Sequence, residues 1–76
     1  MRDLVLWLAR ELVEDKDAVK VDAIERDRST VFELTVAQDD LGRVIGRGGR
    51  TAKALRAVID FAARRDGRRA VLDILD

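Results

Sequence analysis

The sequence predicts an α+β two-layer sandwich, three strands covered on one face by three helices, in the order helix, strand, strand, helix, helix, strand. Three observations carry this. Apolar residues recur at helical spacing in three segments. Segments 18–26 and 30–37 and the C-terminal end switch to alternation rich in β-branched residues. Four of the five glycines fall between Leu41 and Leu55, inside an otherwise helical pattern. Glycine costs a helix about 1 kcal/mol relative to alanine, so such a cluster separates two helices better than it fits within one. Elements that each carry a single apolar face are stable only when packed in layers.

Residues 3–14, DLVLWLARELVE, place Leu4, Leu8 and Leu12 four apart, widened by Val5, Ala9 and Val13 into a helix stripe with Trp7 at its edge. The helix stops near Asp15 to Asp17. In 18–26, Val19, Val21 and Ala23 share one side of a strand; in 30–37, Phe32, Leu34 and Val36 do so. The short polar link Asp27-Arg28-Ser29 joins them as a hairpin. Asp39 or Asp40 is placed to cap a short helix with Leu41, Val44 and Ile45 on its buried face. That helix ends at Gly46, and another covers residues 50–65 with a core stripe of Ala52, Leu55, Val58, Ile59 and Ala62. Gly67 breaks it, and Ala70, Leu72 and Ile74 form the buried side of a third strand.

Seventy-six residues make one domain, residues 1–76. There is no cysteine and no histidine, which removes thiolate and imidazole metal ligands and the commonest general base. Neither a metal site nor a cofactor is expected, and no small-molecule substrate. An enzyme would have to rest on carboxylates, lysine or hydroxyls, and helix capping accounts for the adjacent pair Asp39-Asp40. No apolar run approaches the roughly 20 residues of a membrane span. The N-terminal stretch lacks a signal-peptide cleavage region and reads as mature structure, and the absence of cysteine fits the cytoplasmic protein expected here. Net charge is zero, yet nine basic residues between Arg43 and Arg69 face only Asp60 and Asp66. A neutral chain with one strongly basic segment points to a localised anionic partner, against the plainer reading of solvated arginine-rich helix faces.

The stretch Gly46-Arg47-Gly48-Gly49 lies where one helix ends and the next begins. First-turn N–H groups and the positive end of the helix dipole suit phosphate oxygens. Glycines permit close approach of a sugar-phosphate backbone, and Arg43, Arg47, Arg50 and Lys53 add charge. A plain helix-helix turn needs one glycine rather than three in four residues. The nucleotide-binding loop pattern fails, because Val44 stands where its first glycine should be. The dinucleotide fingerprint fails as well, since the segment follows a helix rather than a strand.

Val44-Ile45-Gly46-Arg47-Gly48-Gly49-Arg50-Thr51 resembles the V-I-G-x-x-G core of a KH domain. In that family a G-x-x-G loop between two helices clamps about four nucleotides of single-stranded nucleic acid. The element order matches the type II KH fold over the whole chain. A free-standing domain of this length resembles the bacterial KhpA family. The resemblance implies a non-catalytic protein that binds single-stranded RNA and acts as an RNA chaperone in post-transcriptional control, paired with a larger KH protein, KhpB (also called Jag or EloR), and linked to cell elongation and envelope control. By the same resemblance Gly46, Arg47, Gly48 and Gly49 form the loop, with Val44 and Ile45 packed beneath the groove. Ala52 departs from the bulky aliphatic of many KH domains, which implies a shallower groove floor.

Helix 50–65 carries a second partial stripe, Ala54, Ala57, Val58 and Phe61. Phe61 lies roughly 120–160° around the helix from Leu55 and Ile59, too far for one core to bury all three. These four residues are the expected contact of a homodimer or of a heterodimer with a KhpB-like protein; the alternative folds Phe61 over the edge of its own core. Two other functional readings stand beside RNA binding. Gly46-Arg47-Gly48 followed by Ala52 also fits a helix-hairpin-helix DNA binder, which would be largely helical. A scaffold acting mainly through the Phe61 face is the third.

Overall fold

The computed structural model describes residues 1–76, and its elements follow the expected order. Helix α1 (Arg2–Leu12) leads to strand β1 (Lys20–Glu25), strand β2 (Ser29–Thr35), helix α2 (Leu41–Ile45), helix α3 (Arg50–Arg65) and strand β3 (Arg69–Ile74). Single 3₁₀ turns at Lys16–Ala18, Gln38–Asp40 and Arg47–Gly49 join them. The sheet order is β1-β2-β3, with β1 antiparallel and β3 parallel to β2. This is the α+β architecture of a type II KH domain, three strands and three helices. With three strands it is not the largely helical architecture of a helix-hairpin-helix protein.

Alternation decides the sheet. Val21, Phe32, Leu34 and Leu72 point into the helical layer and are buried. Register pairs Val21 with Leu34, and Phe32 with Leu72, so these side chains stack across the sheet. Ala23 shares that inner side yet is exposed. The reason is local: the start of α1 sits level with Val21, where Arg2 Nε donates to the Val21 carbonyl at 2.8 Å, and the helix does not extend over Ala23. On the opposite edge of the sheet Arg56 Nε donates to the Leu72 carbonyl at 3.2 Å.

The core joins Val5, Ala9 and Val13 of α1 and its end to the sheet, to Val44 of α2, and to Leu55 and Ile59 of α3. The α1 stripe is thus centred one residue on from the leucines; Leu4, Leu8 and Leu12 are half-buried on its shoulder. In α3 the buried line is Ala52, Leu55, Ile59 and Ala63. Val58, expected in the core, is 47% exposed, and Ala62 is half-buried. At 100° per residue Ala63 falls on the axis of Ala52 and Ile59, whereas Val58 and Ala62 lie to one side, toward α1.

The helix ends are closed by identifiable groups. Lys16 Nζ donates to the Arg10 and Val13 carbonyls at 2.8 and 2.9 Å, capping α1. At the end of α3 the N–H of Gly67 donates to Arg64 and that of Arg68 to Ala63, a Schellman closure with Gly67 at φ 72°. Asp40 was expected as a helix cap, but its side chain makes no cap bond to α2. Its carboxylate turns back to accept the N–H groups of Glu14 at 3.1 Å and Asp15 at 3.0 Å. The 3₁₀ turn at Gln38–Asp40 already occupies the entry to α2, so the carboxylate serves the far end of α1 instead.

Candidate nucleic-acid interface

The chain reverses between α2 and α3 through Gly46, Arg47, Gly48 and Gly49, and all three glycines have positive φ, 77°, 64° and 77°. They are not equivalent. A Cβ on Gly46 would overlap the Thr51 hydroxyl and lie 2.8 Å from the Thr51 backbone nitrogen. At Gly48 and Gly49 a Cβ would meet nothing within 4 Å. Gly46 therefore lets the loop close against α3, while Gly48 and Gly49 leave bare backbone facing outward. Part of the amide supply expected here is already used: the N–H of Gly49 donates to Gly46 at 3.1 Å and that of Arg50 to Arg47. Charge must then carry more of any phosphate contact than first-turn amides do.

The structure divides the basic segment. Arg64 and Arg69 pair with Asp60, and Arg68 pairs with Glu25. Arg43 is held by Glu14 and by Asp40, its Nε 3.2 Å from the Asp40 carboxylate. Arg47, Arg50 and Lys53, all exposed, make no ion pair and no side-chain hydrogen bond within the chain. The cations left without a partner near Gly46–Gly49 are thus the ones that flank it.

Asp40 anchors this end of the molecule. It is 3% exposed, and the N–H groups of Asp15 and Glu14 hold its carboxyl below the ordinary value of 3.8; burial opposes them and Arg43 adds to them. It ties the end of α1 to α2 and sets the position of Arg43.

Of the two aliphatics expected beneath the groove, Val44 is fully buried and supports the loop from below. Ile45, expected on the buried face, is 37% exposed and reaches the surface beside Gly46. Ala52 is 3% exposed: it packs into the core rather than forming a surface floor. From Lys53 an open groove of about 410 Å³ runs between α3 and β3, lined also by Arg56, Ala57, Ala70 and Val71. Sequence reasoning did not place Arg56, Arg69 or Val71 here. Arg56 lies three residues after Lys53 on the same helix and was open to inference; Val71 and Arg69 depend on β3 pairing parallel beside β2 at the sheet edge, which periodicity does not encode.

The second stripe of α3 is on the surface. Phe61 is 68% and Val58 47% exposed, and Ala54 and Ala57 are exposed with them. Ala54 and Val58 also line an apolar cleft of about 250 Å³ against Leu8 and Leu12 of α1. No helix is long and apolar enough to cross a membrane.

Comparison with known proteins agrees with this architecture. The profile of the family described as KhpA/KhpB, KH domain, matches residues 2–74. RNA-binding protein KhpA of Halalkalibacterium halodurans is 47% identical over 76 residues, covering 100% of both chains. The protein of that name from Aquifex aeolicus is 45% identical over 76 residues, 100% of this chain and 96% of its own. That of Borreliella burgdorferi is 42% identical over 74 residues, 97% and 90% respectively. No solved structure matches. A G-x-x-G turn between two helices, on a helix-strand-strand-helix-helix-strand scaffold matched from residue 2 to 74, places the chain in the KhpA/KhpB family of KH domains.

Proposed function

We propose that the chain is a non-catalytic, single-stranded RNA-binding protein that works as a single KH domain over residues 1–76. The observation that carries this is the outward-facing Gly48-Gly49 backbone flanked by three unpaired cations, Arg47, Arg50 and Lys53. Phosphates rest on the loop and are neutralised by those side chains, with Arg43 contributing once it exchanges Glu14 for a phosphate. Bases enter beside Ile45 and along the groove between α3 and β3. The relatives' name, RNA-binding protein, supports RNA as the partner. Edge-strand backbone and Val71 give bases a mixed polar and apolar surface, suited to unstacked single strands.

Gly48→Asp is the decisive test. Asp tolerates the left-handed region and has open space at this position, so the domain folds. Its carboxylate meets the incoming phosphate, and binding to a single-stranded oligonucleotide is lost in fluorescence anisotropy. A variant that binds normally overturns the loop assignment. In the wild type, three phosphate contacts give a slope of log K against log salt of about −2, at roughly −0.7 per contact.

The same proposal includes self-association, or pairing with a KhpB-like KH protein, through Ala54, Ala57, Val58 and Phe61. A small domain gains stability from such burial. Acting as an RNA chaperone with that larger partner, in the cytoplasm and in control of elongation and envelope, is the cellular role the family membership supports. Phe61→Asp converts the protein to a monomer in sedimentation; an unchanged mass removes this face from the proposal.

A further inference from the structure

Asp60 stands in the groove between α3 and β3 with one carboxylate oxygen in use and the other idle. Its Oδ2 accepts from Arg64 Nε at 2.9 Å, a pair one turn apart on α3 that holds the carboxylate in place. Its Oδ1 is closed off from solvent and accepts no hydrogen bond. Arg69 lies beside it, Nε 3.6 Å from Oδ1, too far for a hydrogen bond, and the Arg69 side chain is 68% exposed. A buried acceptor without a donor is costly to keep, and no other side-chain atom of the molecule is left in that state.

We propose that Asp60 reads a base: Arg69 swings out to a phosphate, and Oδ1 accepts a hydrogen bond from an exocyclic amine on the Watson–Crick edge of a base seated in the groove. Cytosine, adenine and guanine carry such an amine and uracil does not. This rests on the RNA-binding reading above and names the base chemistry that the same groove selects.

Placement and chemistry agree. Lys53 and Asp60 both line the groove, seven residues and about 10 Å apart along one face of α3. At about 3.4 Å per stacked nucleotide that is about three nucleotides, so a strand of about four that starts at the glycine turn reaches Asp60. Ala57 and Ala70, also in the lining, are small and leave room for a flat ring, and Val71 gives it apolar surface. Lys53, Arg56 and Arg69 neutralise phosphates, which every nucleotide carries, so they cannot tell bases apart that way. A carboxylate oxygen can. Cytosine and uracil have the same ring but differ at position 4, an amine in one and a carbonyl in the other, and the carboxylate accepts from the first and repels the second.

The experiment is fluorescence anisotropy on the full chain with labelled oligocytidylate and oligouridylate of about four nucleotides. The wild type binds the cytidylate about tenfold more tightly. Asp60→Asn, whose amide offers a donor as well as an acceptor, brings the two within about threefold, with circular dichroism checking the fold. Arg69→Ala weakens both strands alike and keeps their ratio. Should Asp60→Asn unfold, strands of N4,N4-dimethylcytidine, whose amine has no hydrogen to donate, take its place: they bind the wild type no better than oligouridylate. Equal affinities in the wild type, a ratio that survives Asp60→Asn, or a dimethylated strand that binds as cytidylate does overturns the proposal. So does a ratio lost in Arg69→Ala, which assigns the reading to the guanidinium. Gly48→Asp, measured with the same strands, loses both, and its normal binding would count against the glycine turn rather than against Asp60.

Discussion

Gly46 and Gly48 share a left-handed φ but differ in their surroundings, and the difference predicts different outcomes for the same substitution. Gly46→Ala must both strain the backbone and displace Thr51, so it costs on the order of 2–3 kcal/mol. Gly48→Ala meets only the backbone penalty, about 1 kcal/mol. Urea denaturation midpoints check the order. The sequence marked the glycines as a group through their density. It could not rank them, because the rank depends on Thr51 folding back over Gly46, a contact no spacing rule contains. The same limit applies to Ile45 and Val44. Both fit an apolar face on a helix of five residues, too short for periodicity to fix which side is inward.

Between elements, Asp40 replaces the expected cap with a tie between α1 and α2. Its folded carboxyl titrates below the ordinary value because backbone N–H groups and Arg43 favour the charged form. The stability it contributes is therefore complete above the unfolded carboxylate value, about 4, and is lost as pH falls through its lowered folded value. Asp40→Asn lowers the melting temperature at pH 7 and flattens the acid limb of the stability curve; an acid limb as steep as the wild type's counts against the tie. The strands and the hairpin were legible because alternation has a single reading once one face must be buried. The helices were legible in length but less so in rotation. A wide apolar arc shows that α1 and α3 are buried, not where the arc is centred. The leucines of α1 and Val58 of α3 lie on shoulders that only their mutual packing defines.

For the whole molecule, zero net charge conceals a sorted distribution: four of the nine basic residues of the segment, Arg43, Arg64, Arg68 and Arg69, are ion-paired, and three of the unpaired ones, Arg47, Arg50 and Lys53, flank the glycine turn. The self-association proposed through Phe61 would give a dimer with two glycine turns, one at the start of each 16-residue α3. Phe61→Asp should then leave affinity for an oligonucleotide of about four nucleotides unchanged, while lowering that for a long single strand at least about tenfold through lost avidity. Equal losses for both lengths argue against two separated sites. The sheet bears on the same question. A three-stranded sheet has two unpaired edges, and each is a template for another chain's strand. Here Arg2 occupies the Val21 carbonyl on one edge and Arg56 the Leu72 carbonyl on the other. An incoming strand would have to displace a guanidinium before making its first bond there. The two arginines act as stoppers against end-on sheet growth, one at each edge.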